Sequence, residues 1–207
     1  ITSLIHSYKP DLLFNSMRIQ YVNENLFRTV RRSDGFLTNS LKKLLLANII
    51  GGASMVTVKR KSFIKLGGFE SLSFLEDHEL WLRFAESNYK IYGTSAILTQ
   101  YECETKRSSL SKDIEGNRQA RKDITQKFSC YYDKLSHEER NLFFVSCIRE
   151  EYYRSILQYD YLESLRYGLK IFLHSMTVLN LAMLLITFLG SKNIIRARSI
   201  FSKILWN

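Results

Sequence analysis

Proline is almost absent: Pro10 is the only one in 207 residues, and there are nine glycines. That scarcity excludes a collagen-like or linker-rich chain. Cysteine is scarce too. Cys103, Cys130 and Cys147 show no Cys-x-x-Cys spacing, so the set reads as reduced cytosolic thiols, not a disulfide framework. No signal peptide is visible at the start. No apolar run reaches the ~20 residues a bilayer needs, because the greasiest window, 171–189, is interrupted by His174, Ser175, Thr177 and Asn180. Also missing are a Gly-rich phosphate loop, a His-Glu-x-x-His and a Gly-x-Ser-x-Gly. Nor does any nucleic-acid motif appear, and the basic residues do not cluster with stacking aromatics.

What is present is enough apolar material, 45% of residues, to bury a core, and a net charge of +10. The charge is uneven. Residues 1–75 carry 11 basic and 4 acidic side chains, residues 76–111 carry 4 and 6, and residues 112–207 carry 15 and 10. Basic surfaces attract anionic lipid, phosphorylated substrates or nucleic acid. Membrane surface and sugar-nucleotide phosphates rank above nucleic acid here, since no nucleic-acid motif accompanies the charge.

The pattern predicts a helix tail ending at Pro10 and two short strands between Pro10 and Val22. An irregular basic segment follows over 26–38, with Arg28, Arg31 and Arg32, each of which reads singly as part of a solvated loop. A helix is expected from Asn39 or Ser40 through Ile50, stopped by Gly51-Gly52. A strand at 54–58 and a short helix at 60–66, closed by Gly67, come next. Then Glu76-Asp77 open an amphipathic helix with Leu80, Phe84 and Ala85 on its buried face. Acids are favoured at a helix start by its unpaired N–H groups and dipole. Strands at 89–92 and 96–101 flank a turn at Gly93. Beyond them, Ile148, Tyr152, Ile156, Tyr159, Leu162, Leu165, Leu169 and Phe172 form one helical stripe, divisible near Tyr159-Asp160. In the tail, Lys192, Arg196, Arg198 and Lys203 alternate with Ile194, Ile195, Phe201, Leu205 and Trp206. That mix suits an interfacial helix on an anionic membrane, or a helix packed on another domain.

Asn48-x-x-Gly51-Gly52, the run Ser54-Met55-Val56-Thr57-Val58, Phe63-x-x-x-Gly67-Gly68-Phe69-Glu70 and Glu76-Asp77-x-Glu79-Leu80-Trp81-Leu82-Arg83 together resemble the second half of family 2 glycosyltransferases. These are inverting enzymes of GT-A fold. The resemblance runs from about residue 10 to about residue 111. It implies an α/β chain: residues 1–111 as the C-terminal part of a GT-A domain, and residues 112–207 as a helical extension with an amphipathic, membrane-associated tail. The start at Ile1 fits a sequence lacking the nucleotide-binding half that precedes this region in the family.

By this resemblance Asp77 is the base that takes the proton of an acceptor hydroxyl. Glu76 is its neighbour and would raise its pKa by repulsion. Asn48, Gly51, Gly52, Trp81 and Arg83 are expected to bound the substrate. The family's Asp-x-Asp, which holds a divalent Mg or Mn ion, is absent: the seven aspartates are never two apart. The family's Tyr-Arg-x-His is also changed, with Glu102 and Glu104 after Tyr101; Lys106 or Arg107 then compete with a plain charged loop as diphosphate contacts. The implied partners are a nucleotide-sugar donor, a glycan or lipid-linked acceptor and the inner membrane surface, with the protein peripheral on the cytoplasmic face and no nucleic acid. This chain alone is expected to be inactive. The alternative is a non-catalytic remnant, a membrane- or partner-binding helical module.

Overall fold

A computed structural model describes residues 1–104, 113–190 and 193–196. The expected contacts Lys106 and Arg107 lie outside them, as do Lys192, Arg198, Lys203 and Trp206 of the tail. The architecture is mixed α/β. The chain divides into two compact units that interleave in sequence: 1–18, 30–100 and 119–134 in the first, and 19–29, 101–118 and 135–207 in the second.

The first unit starts with α1 (Thr2–Tyr8), closed by Lys9 in the left-handed region. β1 (Leu12–Tyr21) opens with Leu12, Leu13 and Phe14, all buried. Three successive apolar residues can all be buried only where a strand is covered on both faces. So a single strand stands where two short ones were expected, and Leu12–Phe14 seed the core. Part of the expected irregular segment is extended as well, as β2 (Leu26–Val30) and β3 (Gly35–Phe36). α2 (Ser40–Leu46) is a turn shorter than its pattern, because Ala47 is already extended at φ −164°. The glycine pair therefore belongs to a loop, not to a helix stop. A 3-10 turn at Ala53–Met55 leads into β4 (Val56–Val58), shorter than the expected strand.

α3 (Arg60–Lys65) ends in Gly67 and Gly68, both at positive φ, 84° and 73°. Their N–H groups return to Ile64 O and Phe63 O, satisfying carbonyls the helix end would orphan. α4 (Glu76–Glu86) differs from the one-faced helix of the pattern: every residue from His78 to Ala85 is buried. β5 (Ile91–Cys103) passes straight through Gly93. That glycine is needed for space, not for a turn: a Cβ there would lie 2.6 Å from Ser33 O and 2.8 Å from Phe14 Cζ. The strands form a sheet in the order β2-β1-β5-β3, with β4 also on β1. β4 is antiparallel to β1, pairing Leu12 with Val58, and β3 is antiparallel to β5, pairing Gly35 with Gly93.

The helical elements are α5 (Ile114–Lys127), α6 (Ser129–Tyr132), α7 (His137–Leu157), α8 (Tyr161–His174) and α9 (Val178–Phe188). In the second unit α7 begins with a reciprocal cap, Ser136 with Glu139. Asp160 caps α8 and Thr177 caps α9. The three helices meet through Tyr152 Oη and Thr187 Oγ1 at 2.6 Å and through Ser155 and Ser164 hydroxyls at 2.9 Å. Gly168 allows the approach, since a Cβ there would sit 3.3 Å from Leu184 Cδ1.

The long apolar stripe does not continue across the turn. Ile148, Tyr152 and Ile156 are buried, but Leu162 and Leu169 are exposed, and α8 buries Ser164, Tyr167, Gly168 and Ile171 instead. Tyr159, left-handed at φ 57°, resets the helical phase. In the tail, Ile194 and Ile195 are buried in protein, so they are not available to a membrane. No helix among the described residues is long and apolar enough to cross one.

Candidate active site

Leu75, the residue before α4, is held at φ 57°, which for a non-glycine residue costs roughly 1–3 kcal/mol. Its carbonyl accepts from Glu79 N–H at 3.0 Å, so the helix starts sharply at Glu76. Asp77 is in the first turn and half-buried. Its Oδ1 accepts from the His78 N–H at 2.6 Å. The other oxygen, Oδ2, faces the glycine loop: a Cβ on Gly52 would be 3.6 Å from it.

That loop is pinned on both sides. Asn48 Oδ1 accepts from Gly51 N–H at 2.9 Å, and the Trp81 indole N–H donates to Gly51 O at 2.9 Å. Trp81 itself is 1% exposed, so its ring packs and its one polar atom fixes the loop. Gly51 sits at φ 102°, and a Cβ there would meet Met55 Sδ at 2.7 Å. Gly52 has no such strain. Its φ of −73° suits any residue, and its missing side chain leaves bare backbone next to a carboxylate. Asn48, Gly51, Gly52, Asp77 and Trp81 are thus in one place. His78, buried on the next position, ties α4 to α2 through Nε2 and Leu44 O at 2.8 Å.

Arg32, read from the sequence as part of a solvated loop, joins this cluster. Its Nη2 donates to Ile50 O at 3.2 Å and would be 3.5 Å from a Cβ on Gly51. A guanidinium and a carboxylate therefore flank the glycine pair. Only the pairing of two distant segments brings Arg32 there, and no local pattern marks it.

Arg83 faces a different set of partners. Its Nε and Nη2 each donate to a Glu79 oxygen at 2.7 Å, and Nη1 and Nη2 donate to Leu66 O and Gly68 O at 2.5 and 2.6 Å. Glu79 is fully buried, and Lys127 Nζ also donates to it at 2.6 Å. Lys127 bridges onward to Glu70. Burial pulls the Lys127 pKa down, but the two carboxylates outweigh it and the value is raised. Glu70 is lowered, chiefly by its hydrogen bond from Lys127. This balanced set of two acids and two bases fastens the Gly67-Gly68 turn to α4. It gives Glu70, Glu79 and Arg83 a positioning task.

The divalent ion implied by the resemblance has no matching donor set here. Among the described residues no three of His, Cys, Asp or Glu converge. Glu79 is already committed to Arg83 and Lys127. A cleft of about 470 Å³, lined by Ile5, His6, Lys9, Leu13, Val58 and Lys59 among others, shares no residue with the Asp77 cluster. None of the three cysteines forms a disulfide.

In sequence, 133 residues of the chain are 31% identical to a Haemophilus influenzae protein named an uncharacterized glycosyltransferase. The likeness is to a glycosyltransferase. It takes in 63% of this chain and 44% of that protein, so the chain spans under half of its relative's length. No family model matches the chain, and no solved structure matches it significantly.

Proposed function

We propose that the protein acts in glycosyl transfer with inversion, moving a sugar from a nucleotide-sugar donor to an acceptor hydroxyl. In this reading Asp77 is the general base. A hydroxyl is a weak nucleophile, and a carboxylate fixed within hydrogen-bond reach removes its proton as it attacks the anomeric carbon. The observation that carries the reading is Asp77 Oδ2 facing the bare backbone of Gly52, beside a loop held by Asn48 and Trp81. The 31% identity to a protein named a glycosyltransferase supports sugar transfer in general.

Glu76 adds negative charge next to the base, and Arg32 offers a cation beside Gly51 for an anionic part of the substrate. Arg83 serves by holding the Gly67-Gly68 turn. The GT-A fold and a divalent Mg or Mn ion, which would neutralise the leaving diphosphate, belong to the same proposal; no donor cluster for the ion is found among the described residues. The acceptor we propose is a glycan or lipid-linked precursor of a bacterial surface polysaccharide, reached from the cytoplasmic face of the inner membrane.

The test is acceptor-dependent release of nucleoside diphosphate from a panel of nucleotide sugars by the full-length protein, since this chain alone is expected to be inactive. Release that needs a glycan acceptor supports the reading. A protein that binds acceptor and donor and yet never releases diphosphate contradicts it, and favours the non-catalytic alternative.

A further inference from the structure

The second unit carries an apolar surface that no described residue covers. On α8, Leu162, Leu169 and Leu173 are 76%, 48% and 56% exposed; on α9, Val178, Leu185 and Phe188 are 86%, 56% and 59% exposed. At helical spacing the α8 leucines, Val178 and Leu185 fall opposite the buried sides, Ser164-Tyr167-Gly168-Ile171 on α8 and Asn180-Leu184-Thr187 on α9, and Phe188 lies to one side of the latter. Met176, at the turn between the helices, is 73% exposed. Large apolar side chains exposed in this number mark an interaction site.

Among the described residues from Ser164 onward the charged side chains are Arg166, Lys170 and Arg196, with no Asp or Glu. Arg166 and Lys170 lie on the same side of α8 as the exposed leucines, and both are exposed. Glu163, just before this stretch, is the acid that pairs with Arg166, at 3.2 Å. Large aliphatic side chains with cations on the same face match a bilayer interface, whose acyl boundary takes the first and whose anionic headgroups take the second.

We propose that the α8–α9 face docks on an anionic lipid surface, lying in the interface without crossing it. As the means of reaching a lipid-linked acceptor it rests on the transferase reading; as a binding surface it does not. The lipid-facing residues are those of α8 and α9, not Ile194 and Ile195.

Co-sedimentation of the full chain with vesicles tests this without any transfer reaction. Retention is expected on vesicles of equal parts phosphatidylcholine and phosphatidylglycerol, is weak on phosphatidylcholine alone, and falls with added salt. The Val178→Glu/Leu185→Glu variant, altered only at exposed positions, should keep its circular dichroism and melting curve yet bind at least about tenfold more weakly. Val178→Leu/Leu185→Phe should retain binding. No retention by the parent overturns the proposal. Equal retention by the Glu variant assigns binding to another segment and overturns it as well. So does a dimer that the same substitutions dissolve, which assigns the face to a second copy. Diphosphate release with a soluble acceptor, measured alongside, fails or survives independently of vesicle binding.

Discussion

Replacing Arg83 by methionine probes whether that residue positions the site or contacts substrate. The substitution keeps length and apolar bulk and removes four hydrogen bonds: two to Glu79 and one each to Leu66 O and Gly68 O. Glu79 has no exposed surface and would keep only Lys127, whose own side chain is 37% exposed. Breaking one partner from a buried ion pair costs about 3–5 kcal/mol, because the remaining charge stays desolvated. Against a total of roughly 5–15 kcal/mol, that is a large share. At about 2–4 °C per kcal/mol for a chain of this size, the melting temperature should fall by roughly 6–20 °C. Circular dichroism reads it, on the transition of the unit containing α4. Arg83→Lys should recover part of the loss, since an ammonium keeps the charge but not the fork. Glu79→Leu/Arg83→Met should melt above Arg83→Met, because no buried charge is left unpaired. An Arg83→Met protein that melts like the parent and loses transfer would refute the reasoning and return Arg83 to the substrate.

Gly52→Ala separates space from stability: φ −73° suits alanine, and the new Cβ meets Asp77 Oδ2 only at 3.6 Å. Melting should be unchanged or raised by up to about 1 kcal/mol in stability, while transfer falls as the methyl group crowds the base; a normal transfer rate would place the acceptor elsewhere. Stability should also fall at both ends of the pH range. Glu70, ordinarily 4.5, and Asp34, ordinarily 3.8, are lowered, Asp34 chiefly by hydrogen bonds from Ser95 and then Thr94. Their contribution is full above those ordinary values and is lost as pH drops through the lower folded ones. Lys127 is raised above 10.5, so its contribution is full below that and is lost as pH rises through the higher folded value. Melting curves across pH should show this plateau, and Glu70→Gln should flatten part of the acid arm.

What could be read locally was read well where one residue type has one physical use. The Gly67-Gly68 stop, the acidic start at Glu76-Asp77 and the break near Tyr159-Asp160 are of this kind. Errors came where two uses compete. Gly93 looked like a turn, yet it is a strand residue that makes room for Ser33 O. Leu162 and Leu169 looked like a continuation of the α7 stripe until a left-handed Tyr159 turned them outward. Arg32 beside Gly51, and Lys127 beneath Glu79, depend on segments far apart in the chain, and periodicity carries no record of them.

The most direct measurement is the transfer rate of Asp77→Asn in the full-length protein, with donor affinity determined on the same preparation. Asparagine preserves shape and the contact with His78 N–H but cannot accept the proton. Transfer should fall by about 10²–10⁴-fold with donor binding and melting temperature unchanged. Transfer within a few-fold of the parent would mean that another group takes the proton, and the assignment of Asp77 would be wrong.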